Sequence, residues 1–229
     1  LRRSRESINE RGKGEPLPYL LEHWGFFGLD FIVDARALIP RPETELLVEE
    51  AISISKLCAT GGRLTIADIG TGSGIIAVTM ALNLTHARIT ASDISRPALH
   101  LARENAQRHG VSARIHCVQA DLLTSLCRFD LICANLPYIS SHELHTLAVA
   151  EHEPLLALDG GHDGLRLIEQ LLSSARYHMR PCGSLLLEIG AGQRAAALQI
   201  ARIYLPQARC SVLSDMSGRA RLLRILHIK

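Results

Sequence analysis

Runs of buried, strand-like sequence alternate with helical sequence from residue 64 onward, and this alternation limits the fold more than any other feature. Runs of apolar residues predict the strands, and apolar residues at helical spacing predict the helices between them. The predicted strands are residues 64–69, 89–92, 115–118, 129–134, 185–189, 210–213 and 222–228, and the predicted helices are residues 75–84, 97–109, 165–179 and 195–204. Strands separated by helices of 10 to 15 residues indicate a parallel sheet with helices on both faces. We therefore predict the α/β class: a seven-stranded doubly wound sheet whose last two strands, lacking a helix between them, form a C-terminal antiparallel hairpin.

The first 40 residues have a different pattern. Residues 24–38 are rich in aromatic and β-branched side chains, which predicts a short β-hairpin before the sheet. Residues 1–15 are polar and basic, and we interpret them as a solvated helix end or linker rather than a nucleic-acid patch. Pro42 is suited to the first turn of a helix that runs to about residue 57. We therefore predict a linker and hairpin in residues 1–40 and the main domain in residues 41–229.

Composition excludes several classes of function. The chain has 25 Lys and Arg against 23 Asp and Glu, a net charge of +2, whereas strongly electrostatic nucleic-acid binders carry a larger excess. No apolar run reaches the roughly 18 residues of a membrane helix. The 6 cysteines form no C-x-x-C pair, which favours reduced thiols and a cytoplasmic location; an organellar homologue stays open. His142 and His145 give H-E-x-H rather than the zinc-protease spacing H-E-x-x-H, so we predict no metal site.

A glycine-rich loop with the sequence DIGTGSG, residues 68–74, follows the strand 64–69 and opens the next helix. Glycines let the backbone approach a ligand closely, and a helix N-terminus offers free N–H groups. Asp93 ends the next strand, where a carboxylate can accept hydrogen bonds from a ribose diol. Ile75 stands where the dinucleotide fingerprint requires a small residue, which argues against a bound pyrophosphate.

The pattern D-x-G-x-G-x-G resembles motif I of the class I S-adenosylmethionine-dependent methyltransferases, whose domain is Rossmann-like. In that family the loop cradles the methionine end of the cofactor and the acidic residue after the second strand holds the ribose. A third segment, residues 119–122, would meet the adenine, although Asp121 as a simple turn or cap residue is an alternative. The resemblance implies these cofactor-binding residues: Gly70, Thr71, Gly72, Ser73, Gly74, Asp93, Asp121, Leu122 and Asn135.

The strand 129–134 ends in the tetrapeptide Asn135, Leu136, Pro137 and Tyr138. A planar amide or exocyclic amine is a poor nucleophile, so a site that methylates it must orient the nitrogen and polarise its two N–H bonds. The Asn135 side-chain oxygen can accept one N–H, and the Leu136 carbonyl, held extended by the following proline, can accept the other. Tyr138 can stack on the planar group. We predict these four residues as the catalytic residues, acting by positioning the substrate rather than as a strong base.

This tetrapeptide resembles the [ND]-P-P-Y loop of methyltransferases that act on planar nitrogens, namely glutamine amides, adenine N6 and cytosine N4. Leu136 departs from the usual first proline, and N-[LI]-P-Y is the form seen in ribosomal RNA adenine dimethyltransferases. The tetrapeptide by itself leaves open an amide substrate, a nucleobase of RNA or DNA, and a module that binds cofactor and partner without catalysis.

Three flanking segments favour the amide. Residues 38–45, LIPRPETE, residues 14–19, GEPLPY, and residues 153–165, EPLLALDGGHDGL, are similar in order and spacing to segments of the HemK/PrmC-type release factor glutamine methyltransferases. The resemblance implies methyl transfer from S-adenosylmethionine, giving S-adenosylhomocysteine, to the glutamine of the Gly-Gly-Gln motif in class 1 peptide release factors. It also implies an N-terminal helical domain, of which only the last residues precede residue 15 here.

Overall fold

The computed structural model describes residues 14–58 and 63–227, which form two sheets and the helices around them. Most of the basic N-terminal segment, up to Lys13, and Ile228 of the predicted last strand lie outside these ranges. The strands are β1 His23–Phe26, β2 Leu29–Ile32, β3 Thr65–Ile69, β4 Arg88–Asp93, β5 Ile115–Gln119, β6 Phe129–Ala134, β7 Met179–Glu188, β8 Ala208–Ser214 and β9 Ala220–His227. The α-helices are α1 Leu17–Leu21, α2 Glu45–Cys58, α3 Ile75–Asn83, α4 Arg96–Arg108, α5 Ser141–Leu144, α6 Arg166–His178 and α7 Arg194–Tyr204.

The large sheet has seven strands in the order β5-β4-β3-β6-β7-β9-β8. Strands β3 to β7 pair in parallel, and β9 lies between β7 and β8, antiparallel to both. The prediction of a Rossmann-like α/β fold with a C-terminal antiparallel hairpin is thus confirmed. The chain starts the sheet at its centre with β3, builds outward to β5, and then crosses to the other side of β3 to form β6.

Both faces of this sheet are covered because successive strand residues point to opposite faces. Ile66 of β3 packs in a cluster with the buried faces of α2 and α3. Its neighbour Ala67 packs in a second cluster with α6 and α7 on the other face. A sheet buried on both sides needs near-continuous apolar strands, which explains the unbroken hydrophobic runs of the sequence.

Strand β7 differs from its prediction. It begins at Met179, six residues before the predicted start, and Met179 therefore belongs to the strand rather than to helix α6, which ends at His178. The first half of β7 contains Pro181 and Gly183, and between them Cys182 has a φ of 61°. The register with β6 shifts in the same stretch. Proline, glycine and a bulge hide a strand from any periodicity argument, because each breaks the alternation that identifies one.

The predicted N-terminal hairpin is present as β1 and β2, joined by the two residues Phe27 and Gly28, both at positive φ. This backbone geometry suits the twist of a tight hairpin. Phe26 and Phe31 are buried in the same cluster as α2 and α3, so the hairpin packs directly on the helical layer of the large sheet. The division between residues 1–40 and 41–229 stays a prediction.

The described residues contain neither a membrane-spanning helix nor a cluster of metal ligands. Among residues 14–58 and 63–227, no helix combines the length and the hydrophobicity needed to span a bilayer. In the same described ranges, no three His, Cys, Asp or Glu residues form a group that could hold a metal ion.

Candidate active site

A cavity of about 500 Å³ lies at the carboxyl ends of β3, β4 and β6, where the strand order reverses. Open α/β sheets bind their ligands at this position, and the volume is that of a small-molecule site. Most of the residues predicted from the sequence line it: Gly70, Thr71, Gly72, Ser73, Asp93, Asp121, Leu122, Asn135, Leu136 and Pro137. Gly74 and Tyr138 were also predicted, but they are not among the lining residues.

Asp68 at the end of β3 holds the glycine-rich loop in place through hydrogen bonds. The Asp68 Oδ2 atom accepts hydrogen bonds from the Thr71 hydroxyl at 2.6 Å and the Ala77 N–H at 3.1 Å. The glycines of the loop all have positive φ, and a side chain at Gly74 would bring its Cβ within 3.0 Å of Ala102 on α4. Gly74 therefore allows the start of α3 to pack closely on α4, while Gly70 and Gly72 form the part of the loop that faces the cavity.

Asp68 is fully buried, and its Oδ1 atom has no hydrogen-bond partner among the described residues. Burial raises the pKa of Asp68 to about 7, against the opposing effect of its bonds from Thr71 and Ala77. A carboxyl whose folded-state pKa exceeds its unfolded value binds its proton more tightly in the folded protein. Its contribution to stability is therefore fully present below about pH 4 and is lost as the pH rises toward 7.

We expect Asp68→Asn to remove this pH dependence. The difference in free energy of unfolding between variant and wild type should grow in favour of the variant between about pH 4 and pH 7, because the amide never ionises. Urea denaturation at half-unit pH intervals measures the difference. A difference that stays constant across this range would show that Asp68 titrates normally in the folded protein.

Asp93 connects the end of β4 to the glycine-rich loop. Its Oδ2 atom accepts the Gly72 N–H at 2.9 Å, and its Oδ1 atom accepts the Ser95 N–H at 2.8 Å. Burial raises the pKa of this carboxyl, and the bonds from Ser95 and Gly72 oppose that rise. Three N–H bonds, from Ser95, Gly72 and Ile94, leave the carboxylate capacity for a further donor. Asp93 therefore has the position and the capacity to accept a diol from the cavity.

Residues 119–122 also reach the cavity, through Asp121 and Leu122. The Asp121 carbonyl accepts the Thr124 N–H at 3.0 Å, and Leu122 has a φ of 49°. Asp121 thus begins a turn and lines the cavity at the same time, so the structure is compatible with both roles predicted for it.

Asn135 belongs to a buried hydrogen-bond chain. Its Nδ2 atom donates to Thr44 Oγ1 at 3.0 Å, and the Thr44 hydroxyl donates to Glu188 Oε2 at 2.7 Å. The Tyr138 hydroxyl makes a longer contact of 3.4 Å with Glu188 Oε1. Glu188 is 2% exposed, and burial raises its pKa to about 7. No described residue donates a hydrogen bond to Asn135 Oδ1, which leaves that oxygen as an acceptor at the cavity.

Leu136 has a side chain and a carbonyl with separate roles. The side chain is buried under the glycine-rich loop, where a Cβ at Gly70 would lie 3.0 Å from Leu136 Cδ2. In the described part of the chain, no backbone N–H outside the regular elements donates to the Leu136 carbonyl. The leucine thus supports the loop, and its carbonyl remains an acceptor next to Asn135.

Two distant segments form a further wall of the cavity. Glu153 is buried, and its Oε2 atom accepts the Ile39 N–H at 2.9 Å while its other oxygen pairs with Arg41. Residues 36–41 and 154–157 line the cavity on either side of this pair. A buried charge of this kind is stable only when paired and hydrogen-bonded, so the pair fixes the two segments against each other.

Sequence reasoning assigned no role in the site to Thr44, Arg41 or Glu153, and it left open whether Glu188 is functional or only capped. The first three lie in the segments 38–45 and 153–165, which served only as family markers. Glu188 had a visible signal, a single acid at the end of an otherwise apolar strand, but its partner was not identifiable from the sequence.

Known proteins resemble this chain over most of its length. The family model described as methyltransferase small domain matches residues 44–152. A release factor glutamine methyltransferase of Moorella thermoacetica is 43% identical in an alignment of 219 residues that covers 94% of this chain and 76% of that protein. A protein of the same name from Geobacter sulfurreducens is 42% identical over 195 residues, covering 83% of this chain and 66% of that protein.

A solved structure agrees with these relatives. The crystal structure of a protein-(glutamine-N5) methyltransferase (release factor-specific) from Alicyclobacillus acidocaldarius superposes with a TM-score of 0.54 and 26% identity, covering 87% of this chain and all of that one. The match to the Moorella protein extends over both the sheet and the N-terminal hairpin. By this identity and coverage, the chain belongs to the family of release factor glutamine methyltransferases.

Proposed function

We propose that this chain transfers a methyl group from S-adenosylmethionine to the side-chain amide nitrogen of the glutamine in the Gly-Gly-Gln motif of class 1 peptide release factors. The names of its relatives support the substrate, and the fold supports the cofactor. The observation that carries the proposal is the pair of adjacent acceptors, Asn135 Oδ1 and the Leu136 carbonyl, at the cavity next to the glycine-rich loop.

The residues of the cavity fit S-adenosylmethionine. Gly70 and Gly72 present a backbone without side chains, and Asp93 offers carboxylate oxygens suited to a ribose diol. Asp121 and Leu122 line the same cavity and would contact the adenine. When bound, S-adenosylmethionine supplies an electrophilic methyl group on a sulfonium sulfur. The Arg41–Glu153 pair keeps the opposite wall of the cavity in place.

The protein's task toward glutamine is orientation. An amide nitrogen carries a delocalised lone pair, so the reaction requires the nitrogen in line with the methyl group and both of its N–H bonds polarised. Asn135 Oδ1 and the Leu136 carbonyl would each accept one N–H, which fixes the amide in position. The nitrogen exchanges one hydrogen for the methyl group, and the proton leaves to solvent. No described feature requires a strong base at this step.

Transfer of label from radiolabelled S-adenosylmethionine tests the proposal. We expect label on a purified class 1 release factor and none on a matched factor whose Gly-Gly-Gln glutamine is changed to alanine. Equal label on both factors would contradict the glutamine assignment. Label on RNA or DNA instead, falling steeply with salt, would identify a nucleic-acid methyltransferase. Cofactor binding without transfer to any of these substrates would identify a non-catalytic module. The cytoplasmic location stays a prediction.

A further inference from the structure

We propose that Thr44 and Glu188 are positioning residues that set the direction of the Asn135 amide, so that its oxygen and not its NH2 group faces the substrate. The inference rests on the proposed function, because it concerns how the glutamine amide is bound. It adds two residues that are distant in sequence from their hydrogen-bond partners: Thr44 lies 91 residues from Asn135, and Glu188 lies 144 residues from Thr44.

The single hydroxyl hydrogen of Thr44 determines the orientation of the Asn135 amide. A hydroxyl has one hydrogen to donate, and the ionised carboxylate of Glu188 at 2.7 Å can only accept it. Thr44 then has only lone pairs left for Asn135 at 3.0 Å. Asn135 must therefore direct its NH2 group toward Thr44. The rest of the amide is fixed by this choice, and Oδ1 is left for the cavity.

Protonation of Glu188 would reverse this hydrogen-bond chain. A carboxylic acid has an O–H group and can donate to Thr44 Oγ1, and the threonine hydroxyl is then free to donate to Asn135. Such a donor favours the opposite amide orientation, with Oδ1 toward Thr44 and NH2 toward the cavity. The NH2 group of Asn135 and the N–H bonds of a glutamine amide are both donors, so they cannot hydrogen-bond to each other. The protonated state of Glu188 should therefore bind the amide poorly.

Several groups around Glu188 decide its ionisation. Burial favours the neutral acid, and Glu43, in the 3₁₀ turn that precedes α2, adds a repulsive charge. Arg221 on β9 favours the carboxylate, although it is shared with Asp215 at 3.1 Å. Tyr138 and Thr44 also favour the ionised form by donating to it. Because these effects together place the pKa of Glu188 at about 7, both states are populated near neutral pH.

Kinetics with saturating S-adenosylmethionine and release factor test the threonine. We expect Thr44→Val, which has nearly the same shape and no hydroxyl, to lower kcat by about 10- to 100-fold. The Kd for S-adenosylmethionine, measured by calorimetry, should stay within about 3-fold. Thr44→Ser restores the hydroxyl and should recover most of the lost turnover. Unchanged kcat in Thr44→Val, or no recovery in Thr44→Ser, would overturn the inference.

The pH profile of kcat tests the glutamate. In wild type we expect kcat to fall toward acid pH with a single proton near pH 7, since the stability of the productive amide orientation requires the carboxylate. Glu188→Gln should give a low, pH-independent kcat over this range. Asp68 also titrates near pH 7, and it is unchanged in this variant. An acid limb that persists in Glu188→Gln would therefore belong to another group and contradict the role of Glu188.

Glu43→Gln is a matched control, because it removes the neighbouring carboxylate without removing a bond to Thr44. We expect the acid limb to remain and to move to lower pH, since a charge that opposes ionisation of Glu188 is lost. A limb that disappears in Glu43→Gln would show that the titrating group is Glu43 and would overturn the assignment.

A measurement on the free protein separates this inference from the proposed function. The Asn135 NH2 resonances, assigned by their loss in Asn135→Ala, should shift with pH around 7 in wild type and stay constant in Glu188→Gln. This result needs no release factor, so it holds even if no methyl transfer to a release factor occurs. Resonances that are insensitive to pH in wild type would show that Glu188 does not control the amide.

Discussion

Asn135→Ala should lower turnover on the release factor by about 100- to 1,000-fold at saturating substrates, while the Kd for S-adenosylmethionine stays within about 3-fold. Alanine removes the Oδ1 acceptor that would hold one amide N–H of the glutamine, so the nitrogen loses its orientation toward the methyl group. The contacts proposed for the cofactor, with the glycine-rich loop and Asp93, would remain because the substitution does not touch these residues.

A matched control is Asn83→Ala, the same change at an exposed asparagine at the end of α3, whose amide donates to the Thr79 carbonyl and to no other described residue. It should leave kcat unchanged. Single-turnover label transfer gives kcat, and titration calorimetry gives the cofactor affinity. Asn135 was predicted both as a catalytic and as a cofactor-binding residue. A large, parallel loss of cofactor affinity in Asn135→Ala would favour the second role and contradict the first.

The fold was largely predictable because its elements are defined locally. Each parallel strand is buried on both faces and reads as a continuous apolar run, as in residues 129–134, whose predicted bounds coincide with β6. The prediction missed the first half of β7, where Pro181 and Gly183 interrupt the apolar pattern although the backbone still pairs with β6. Pairing with a neighbouring strand is a tertiary interaction, and a one-dimensional pattern contains no record of it.

The candidate site was likewise predictable only in part. Asp93 and Asn135 follow the ends of predicted strands, and the carboxyl ends of parallel strands lie at one edge of a sheet, so their convergence could be predicted. The partners of Asn135 could not, because Thr44 and Glu188 reach it only through the packing of the turn before α2 against β7. The pairing of Arg41 with Glu153 likewise joins two loops separated by 112 residues. Sequence reasoning identified residues that line the cavity and missed the residues that hold them in place.

The second large effect is expected for Asp93→Ala, and it concerns the affinity for S-adenosylmethionine rather than turnover. We expect Asp93→Ala to raise the Kd for S-adenosylmethionine by about 100-fold, because charge-assisted hydrogen bonds to a ribose diol are lost together with the bonds from Gly72 and Ser95 that shape the loop. Once the cofactor is saturating, kcat should fall by no more than about 3-fold, since Asn135 and Leu136 are unaffected.

Asp163→Ala is the matched control for this substitution. Asp163 Oδ1 accepts the Leu165 N–H at 3.0 Å, the same two-residue turn that Asp93 forms with Ser95, but Asp163 does not line the cavity. Asp163→Ala breaks the same kind of turn away from the cavity. It therefore measures how much such a turn contributes to stability, and we expect it to leave the Kd for S-adenosylmethionine unchanged. Calorimetry on both variants, with thermal unfolding to confirm that each is folded, separates the two effects. Tight cofactor binding by folded Asp93→Ala would exclude Asp93 as the ribose acceptor.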